Sequence, residues 1–377
     1  MMGKVMNAAS LVVASILSTT VLAQPPRQVP AGTEMKKDLT YAKIGDRELK
    51  LDLYLPEKAD KSLPLVIWIH GGGWMAGTKD GCPARRLTSE GYAVASVEYR
   101  LSGEAVFPAQ IEDCKAAVRW LRANAEKYGI NPNRFGVWGS SAGGHLVAML
   151  GTTSDTENFD VGEHLDVSSR VQAVCDYYGP TDLLKMDEGK PANARRRHDA
   201  PDSPESKLIG GPILENKEKA AKANPINYIS AKTPPFLIVH GDVDPTVAHS
   251  QSVLLYDALK KANLPVHFHT IEGAGHGKGF GGADVTEMVD KFFASTLKSD
   301  EPVKNEQITS TSKASEPRGA AGSPMGPGRQ LSYEQVMARA DRNKDGKVTK
   351  EEFDGPPRLF PVLDRNNDGE IGQEDFR

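Results

Sequence analysis

Short, continuously apolar runs alternate with amphipathic segments between Leu39 and Ala294, and this alternation constrains the fold more than any other feature of the sequence. The runs PLVIWIHG (64–71), AVASVEYR (93–100) and PFLIVHGD (235–242) are rich in β-branched residues, as is typical of strands buried on both faces of a parallel sheet. Between strands, residues 108–129 repeat apolar side chains at helical spacing. The sequence therefore predicts an α/β fold with a mostly parallel, doubly wound sheet.

The first 23 residues are predicted to be a signal peptide. Lys4 precedes an apolar run from Ala8 to Leu22, and the run ends in Val21-Leu22-Ala23, a small-residue cleavage pattern. A short membrane anchor is the alternative, but the run is short for a bilayer span. We therefore expect a secreted or periplasmic protein with no transmembrane segment after cleavage.

Composition divides the remaining chain into three parts. The α/β domain is predicted over residues 24–297, with a polar, proline-rich insertion at 181–230 that has the length of a cap or lid. Residues 298–330 are rich in Ser, Pro, Gly and charge, which predicts a disordered linker. Residues 331–377 form a separate module.

A net charge of −4 gives no reason to expect a nucleic-acid partner.

The stretch GSSAG (139–143) joins an apolar strand to a helical segment and matches the pattern G-x-S-x-G. In this context the motif places a serine on a tight, strained turn, where small residues are needed two positions before and after it. Centred on Ser141, both positions are glycine, whereas centred on Ser140 one of them is Trp138. Ser141 is therefore the candidate nucleophile. A glycine-rich packing turn is the alternative.

The stretch HGGGW (70–74) closes the predicted strand PLVIWIHG (64–71). Glycines allow backbone N–H groups to turn toward a ligand, and acyl transfer needs such donors aimed at the developing negative charge. We predict an oxyanion hole formed by the N–H groups of Gly72, Gly73 and Ala142. A flexible glycine loop is the alternative.

The base and the orienting acid are expected in the order Ser, Asp, His along the chain. His276 follows the strand VHFHTIEG, and both Asp242 and Asp244 follow the previous strand. We select Asp244 because it lies further into its loop and has more reach, and we expect Asp242 to brace the turn. The other histidines that lie in predicted strands or in the helix after Ser141 are interpreted as structural: His145, His240, His267 and His269.

These motifs together resemble the α/β-hydrolase esterases, over residues 35–297. The sequence is similar to the hormone-sensitive-lipase-like carboxylesterases and to the bifunctional feruloyl and acetyl-xylan esterase-like (BD-FAE-like) group. The resemblance implies the α/β-hydrolase fold, a triad of Ser141, Asp244 and His276, and no cofactor for catalysis. It also favours Asp244 over Asp242.

The C-terminal module contains two segments that match the EF-hand calcium loop, at 341–352 and 364–375. Oxygen ligands recur at the loop positions that bind calcium, and a glycine stands at the sixth position of each. The second loop ends in Asp375 rather than glutamate, which disfavours tight bidentate binding there. The predicted ligands are Asp341, Asn343, Asp345, Lys347 through its carbonyl, Glu352, Asp364, Asn366, Asp368, Glu370 and Asp375. The module resembles the EF-hand tails of some exported bacterial enzymes, and no cohesin-type partner is expected.

We predict an exported serine carboxylesterase that hydrolyses carboxylic esters through an acyl-enzyme. The resemblance implies acetyl or feruloyl esters on plant-type polysaccharides as substrates. A lipase or an esterase of lipids or small esters is the alternative, with a serine peptidase behind it. An alternative of another class is a calcium-dependent binding protein built on a silent hydrolase fold.

Overall fold

The computed structural model describes residues 29–58, 62–192, 194, 197–299, 341, 345–349, 353, 364 and 368–373. The predicted signal peptide and all but the first two residues of the predicted linker lie outside these ranges. The chain divides into two compact units, with the boundary between Lys313 and Ala314.

The first unit is built on an eight-stranded sheet with the order β1-β2-β4-β3-β5-β6-β7-β8. The first two strands form an antiparallel hairpin, β2 pairs antiparallel with β4, and all later neighbours pair in parallel. The mostly parallel sheet is as predicted. The strands are Thr33–Ile44 (β1), Arg47–Pro56 (β2), Leu63–Ile69 (β3), Ala93–Val97 (β4), Ile130–Ser140 (β5), Ala173–Tyr177 (β6), Phe236–Gly241 (β7) and Val266–Ile271 (β8).

The central strand β3 shows why these runs are continuously apolar. Leu65, Ile67 and Ile69 pack into one hydrophobic core, whereas Val66 and Trp68 pack into a second core. Side chains alternate across a strand, so each set faces one side of the sheet. Both faces of the sheet are thus covered and buried.

Helices lie between the strands of the sheet, as the alternation in the sequence predicts. The predicted helix at 108–129 ends at Ala123, and a short 3-10 turn, Glu126–Tyr128, follows it. An additional 3-10 helix, Pro83–Glu90, was not predicted. The α-helices are Ala109–Ala123 (α1), Ala142–Thr152 (α2), Pro204–Ile209 (α3), Lys217–Lys222 (α4), Ser250–Lys261 (α5) and Ala283–Phe293 (α6).

The insertion between β6 and β7 contains only short helical segments. They include α3 and α4, and Ser203 caps the N-terminus of α3 by accepting a hydrogen bond from the Ser206 N–H. The insertion still contributes to the core, because Leu208, Ile209 and Ile213 are buried. It is therefore a packed part of the first unit.

In the second unit, β9 (Val348–Thr349) pairs antiparallel with β10 (Glu370–Ile371). Each strand lies in one of the predicted calcium loops, and Val348 and Ile371 are fully buried. Gly346 and Gly369 have φ of +86° and +92°, a conformation that glycine adopts without strain. The two loops thus pair with each other at equivalent positions.

In the parts of the chain that the structure describes, no helix has both the length and the apolarity needed to cross a bilayer.

All three cysteines, Cys82, Cys114 and Cys175, are buried free thiols.

Candidate active site

Ser141 lies on a strained turn between β5 and α2. Its φ of 55° and ψ of −122° are unusual for a residue with a side chain, and its N–H donates to the Tyr177 carbonyl at 2.8 Å. The Ser141 side chain does not cap α2, although it precedes the helix. Its hydroxyl is therefore available for another partner.

The glycines on either side of Ser141 explain why the turn needs this sequence. A Cβ added at Gly139 would lie 2.3 Å from the Gly143 carbonyl oxygen, and one added at Gly143 would lie 2.1 Å from the Ile69 carbonyl oxygen. Both contacts are with backbone atoms, which cannot rotate away. The close approach of β5, α2 and β3 thus requires glycine at both positions.

His276 stands between Ser141 and Asp244. Its Nε2 lies 3.0 Å from Ser141 Oγ, and its Nδ1 donates to Asp244 Oδ2 at 2.7 Å. Because the carboxylate accepts the Nδ1 proton, Nε2 carries the lone pair that faces the serine hydroxyl. This is the geometry in which a histidine accepts a proton from a nucleophile.

The Asp244 carboxylate is fully buried and is held by several donors. Its Oδ1 accepts from the N–H groups of Thr246 and Val247 at 2.7 and 3.0 Å. Burial opposes the charge, but the hydrogen bonds from His240, His276 and the backbone outweigh it and hold the pKa of Asp244 well below its usual value. The group therefore stays ionised at neutral pH.

His240, which the sequence placed among the structural histidines, contacts the same carboxylate. Its Nε2 lies 3.0 Å from the Val247 carbonyl oxygen and 3.3 Å from Asp244 Oδ2. A carbonyl can only accept, so Nε2 carries the proton and His240 donates toward both oxygens. Its Nδ1 lies 2.7 Å from Ser252 Oγ, which fixes the ring. Nothing in the sequence signalled this contact.

The other candidate acid, Asp242, braces a turn. Its Oδ1 accepts from the Gly273 N–H at 2.7 Å. The side chains of the other three histidines interpreted as structural from the sequence have no described contact with the side chains of Ser141, Asp244 or His276: His145 donates to the Ala223 carbonyl, and His267 and His269 lie on β8. Burial lowers the pKa of His145 to about 4, so it is neutral.

The predicted oxyanion loop lies beside Ser141. Gly72 and Gly73 have φ of +109° and +60°, and neither of their N–H groups donates a hydrogen bond within the described ranges. Ala142 is the first residue of α2, where an N–H has no acceptor inside the helix. The three residues line one cavity of about 300 Å³ together with Ser141 and His276. Donors and nucleophile thus face the same space.

This cavity also has a wall from the insertion. His198, Pro204 and Glu205 line it, although they are far from the oxyanion loop along the chain. A Cβ added at Gly73 would lie 3.3 Å from Pro204 Cβ. The sequence predicted a cap here and did not single out these residues.

The predicted calcium ligands are described only in part, because Asn343, Glu352, Asn366 and Asp375 lie outside the described residues. Asp341 accepts from the Gly346 N–H at 2.9 Å, and Asp364 accepts from the Gly369 N–H at 3.0 Å, so each first-position carboxylate turns into its loop. Within the described residues, no group of three or more metal-binding side chains lies together. The oxygen donors present fit a hard cation such as calcium.

Comparison with known proteins identifies both units. Residues 51–259 match the family model described as BD-FAE, and residues 334–354 match an EF-hand model. The esterase LipC of Mycobacterium tuberculosis is 31% identical over 221 residues, which cover 58% of this chain and 53% of LipC. The esterase LipQ of the same organism is 31% identical over 255 residues, 66% of this chain and 57% of LipQ. The chain thus spans little more than half the length of these curated relatives.

Solved structures of esterases share the fold. A truncated carbohydrate esterase from gut microbiota is 32% identical with a TM-score of 0.64, and the match covers 71% of this chain and 97% of that one. An acetyl ester-xyloside bifunctional hydrolase from Caldicellulosiruptor lactoaceticus is 28% identical with a TM-score of 0.53, covering 67% and 88%. The predicted α/β-hydrolase fold and the EF-hand module are confirmed. With more than half of its residues matched by that family's model, the chain belongs to the BD-FAE family.

Proposed function

We propose that this protein is a serine carboxylesterase with Ser141 as nucleophile, His276 as general base and Asp244 as orienting acid. The observation that carries the proposal is the unbroken line from Ser141 Oγ through both ring nitrogens of His276 to the buried Asp244 carboxylate, at 3.0 and 2.7 Å. A silent hydrolase fold has no need of this alignment, so the alternative of a pure binding protein is disfavoured.

The chemistry follows from the positions of the protons. His276 Nε2 takes the proton of Ser141 as Oγ attacks the ester carbonyl, and Asp244 stabilises the imidazolium that forms. The N–H groups of Gly72, Gly73 and Ala142 stabilise the oxyanion, each contributing about 3 kcal/mol. The imidazolium then protonates the departing alcohol. Water attacks the acyl-enzyme next, His276 takes the proton of the water, and the imidazolium returns that proton to Ser141 Oγ as the acid is released. No cofactor takes part.

Replacing each of the two adjacent serines tests the nucleophile. Ser141→Ala should abolish the burst of p-nitrophenol from p-nitrophenyl acetate, whereas Ser140→Ala should retain it, because only Ser141 lies next to His276 Nε2. An undiminished burst in Ser141→Ala, or its loss only in Ser140→Ala, would overturn the assignment.

We propose acetyl or feruloyl groups on plant-type polysaccharides as the substrates. Support comes from the carbohydrate esterase and the acetyl ester-xyloside hydrolase among the similar structures, and from the polar wall formed by His198 and Glu205 in the cavity. A panel of acetylated xylan, methyl ferulate, short p-nitrophenyl esters and a long-chain triglyceride tests the substrate. Preference for the triglyceride would favour a lipase instead.

Calcium binding by the tail is part of the proposal. Asp341, Asn343, Asp345, the Lys347 carbonyl and Glu352 would hold the ion in the first loop, with Asp364, Asn366, Asp368, Glu370 and Asp375 as the second set. Calorimetric titration of the full chain with calcium should show binding at about 10⁻⁴–10⁻³ M, the range of extracellular modules. Asp341→Ala should remove heat from this titration and Ser141→Ala should not; absence of heat in the unmodified protein would exclude calcium.

We also propose export with removal of residues 1–23. Mass spectrometry of the mature protein from cells that make the full chain should find an N-terminus at Gln24. A retained N-terminus in the cytoplasm would contradict export.

A further inference from the structure

His198 and Glu205 form a second histidine–carboxylate pair in the active-site cavity. His198 Nδ1 lies 2.8 Å from Glu205 Oε1, and both residues are almost fully buried, at 3% exposure. Both line the same cavity as Ser141 and His276. The pair therefore contributes polar groups to the space where the substrate must lie.

The backbone around His198 is held rigidly. The His198 N–H donates to the Asp187 carboxylate at 3.1 Å, and its carbonyl accepts from Ser203 Oγ at 2.7 Å. Ser203 in turn caps α3, which carries Glu205. The ring orientation is thus fixed by contacts that do not depend on a substrate.

The protonation of the pair leaves an acceptor for the substrate. In the tautomer in which Nδ1 donates to the Glu205 carboxylate, the other ring nitrogen, Nε2, carries the lone pair of the imidazole. Within the described ranges, Nε2 makes no hydrogen bond, and it is not among the fully buried polar atoms. A lone pair at the cavity wall can accept from a hydroxyl group of a bound molecule.

Stability does not explain why the pair is present. Glu205 Oε2 is buried and has no hydrogen-bond partner within the described ranges. Leaving a buried polar atom unpaired costs ~1–3 kcal/mol. A buried carboxylate kept at this cost beside a histidine that lines the cavity is consistent with a role in binding a substrate.

We propose that His198, oriented by Glu205, is a specificity-determining residue that accepts a hydrogen bond from a hydroxyl of the ester's alcohol half, so that the site prefers esters of polyhydroxylated alcohols such as sugars. The inference rests on the proposed function. An acetyl group carries no hydroxyl, so in an acetyl ester the donor must belong to the alcohol. Pro204, which adjoins Gly73, places this wall beside the oxyanion loop.

Two esters that differ in hydroxyl groups but not in ring size test the proposal. They are a methyl xyloside monoacetate and cyclohexyl acetate, and the readout is the ratio of their kcat/KM values. His198→Asn keeps an amide nitrogen near the Nδ1 position, so it can still donate to Glu205, but it has no atom at Nε2. His198→Gln extends a polar group toward the Nε2 position. His267→Gln, on β8 and outside the cavity lining, is the matched control.

We expect the unmodified protein to prefer the xyloside acetate and His198→Asn to lower the ratio about tenfold, the effect of one hydrogen bond. His198→Gln should retain part of the preference and His267→Gln all of it. An unchanged ratio in His198→Asn, whether or not both kcat/KM values fall, would overturn the inference while leaving the esterase function standing. If the unmodified protein hydrolyses neither ester nor p-nitrophenyl acetate, the proposed function itself is wrong.

Discussion

His240 Nε2 lies 3.3 Å from Asp244 Oδ2, the same oxygen to which His276 Nδ1 donates at 2.7 Å. Two histidines therefore share one carboxylate oxygen, one from inside the fold and one from the cavity side. His240 is fully buried, whereas the His276 side chain is 25% exposed. The buried histidine thus holds the carboxylate in place, and the partly exposed histidine lies at the cavity.

Replacing His240 should therefore weaken catalysis through Asp244. His240→Asn keeps an amide near the Nδ1 position but has no atom at Nε2, so it removes the fixed donor on Oδ2 and should lower kcat for p-nitrophenyl acetate about tenfold, with a smaller change in KM. Steady-state kinetics measures both constants. His267→Asn is the control, since it makes the same substitution at a histidine on β8 without a contact to Asp244. Equal effects from the two variants would argue against a positioning role for His240.

The two aspartates in the loop after β7 should differ strongly in effect. Asp244→Asn can no longer hold His276 in the tautomer with a free Nε2, so kcat should fall by about 10³–10⁴. Asp242→Asn keeps an oxygen that can accept from the Gly273 N–H and should change kcat less than about threefold. The comparison decides between the two candidates that the sequence left close together. A larger loss for Asp242→Asn would reverse the assignment.

Asp176 should make the stability depend on pH. It is fully buried on β6, and burial raises its pKa to about 7, although the Gly179 N–H donates to it at 2.9 Å. Between pH ~4 and ~7 the folded protein therefore binds this proton more tightly than the unfolded chain does. Its contribution to the free energy of unfolding should be greatest below pH ~4, fall as the pH rises to ~7, and stay constant above that.

Asp176→Asn tests this expectation, because the amide cannot ionise. Urea unfolding at about pH 5 and about pH 8 should show the variant gaining ~1–3 kcal/mol relative to the unmodified protein at the higher pH. Comparing the two pH values cancels any constant cost of the amide. A difference that does not change with pH would mean that Asp176 is ionised in the folded protein.

The turn at Ser141 should tolerate no side chain at position 143. Gly143→Ala places a Cβ 2.1 Å from the Ile69 carbonyl oxygen, a backbone atom of a central strand. We expect a loss of at least ~3 kcal/mol in unfolding free energy, or no folded protein. Gly103→Ala meets no atom within 4 Å and should stay within ~0.5 kcal/mol. Thermal unfolding of both variants provides the comparison, and a stable Gly143→Ala would show that α2 and β3 can move apart at this point.

Much of the fold was predictable because strands buried on both faces leave a strong local signal. The apolar runs in β3, β4 and β7 predicted the parallel sheet with bounds close to those observed, since burial on both sides demands apolar residues at every position. The helix that follows Pro108 was predicted too long at its C-terminus. There Asn124 ends α1, and Gly129, in the left-handed conformation with φ of +66°, closes the 3-10 turn that leads into β5.

The sequence by itself indicated the turn at Ser141, the glycine loop at 70–74, the order of the candidate Ser, Asp and His, and the two equivalent loops of the C-terminal module, because each depends on residue types at short, fixed spacing. Only the tertiary structure decided that His240 contacts Asp244 and that His198 with Glu205 forms a wall of the cavity. Such contacts join residues through hydrogen bonds whose partners are set by the path of the loops in three dimensions. A lone histidine in a strand or in a polar insertion has no pattern that distinguishes these roles, since the same residue type also serves as an ordinary core or surface side chain.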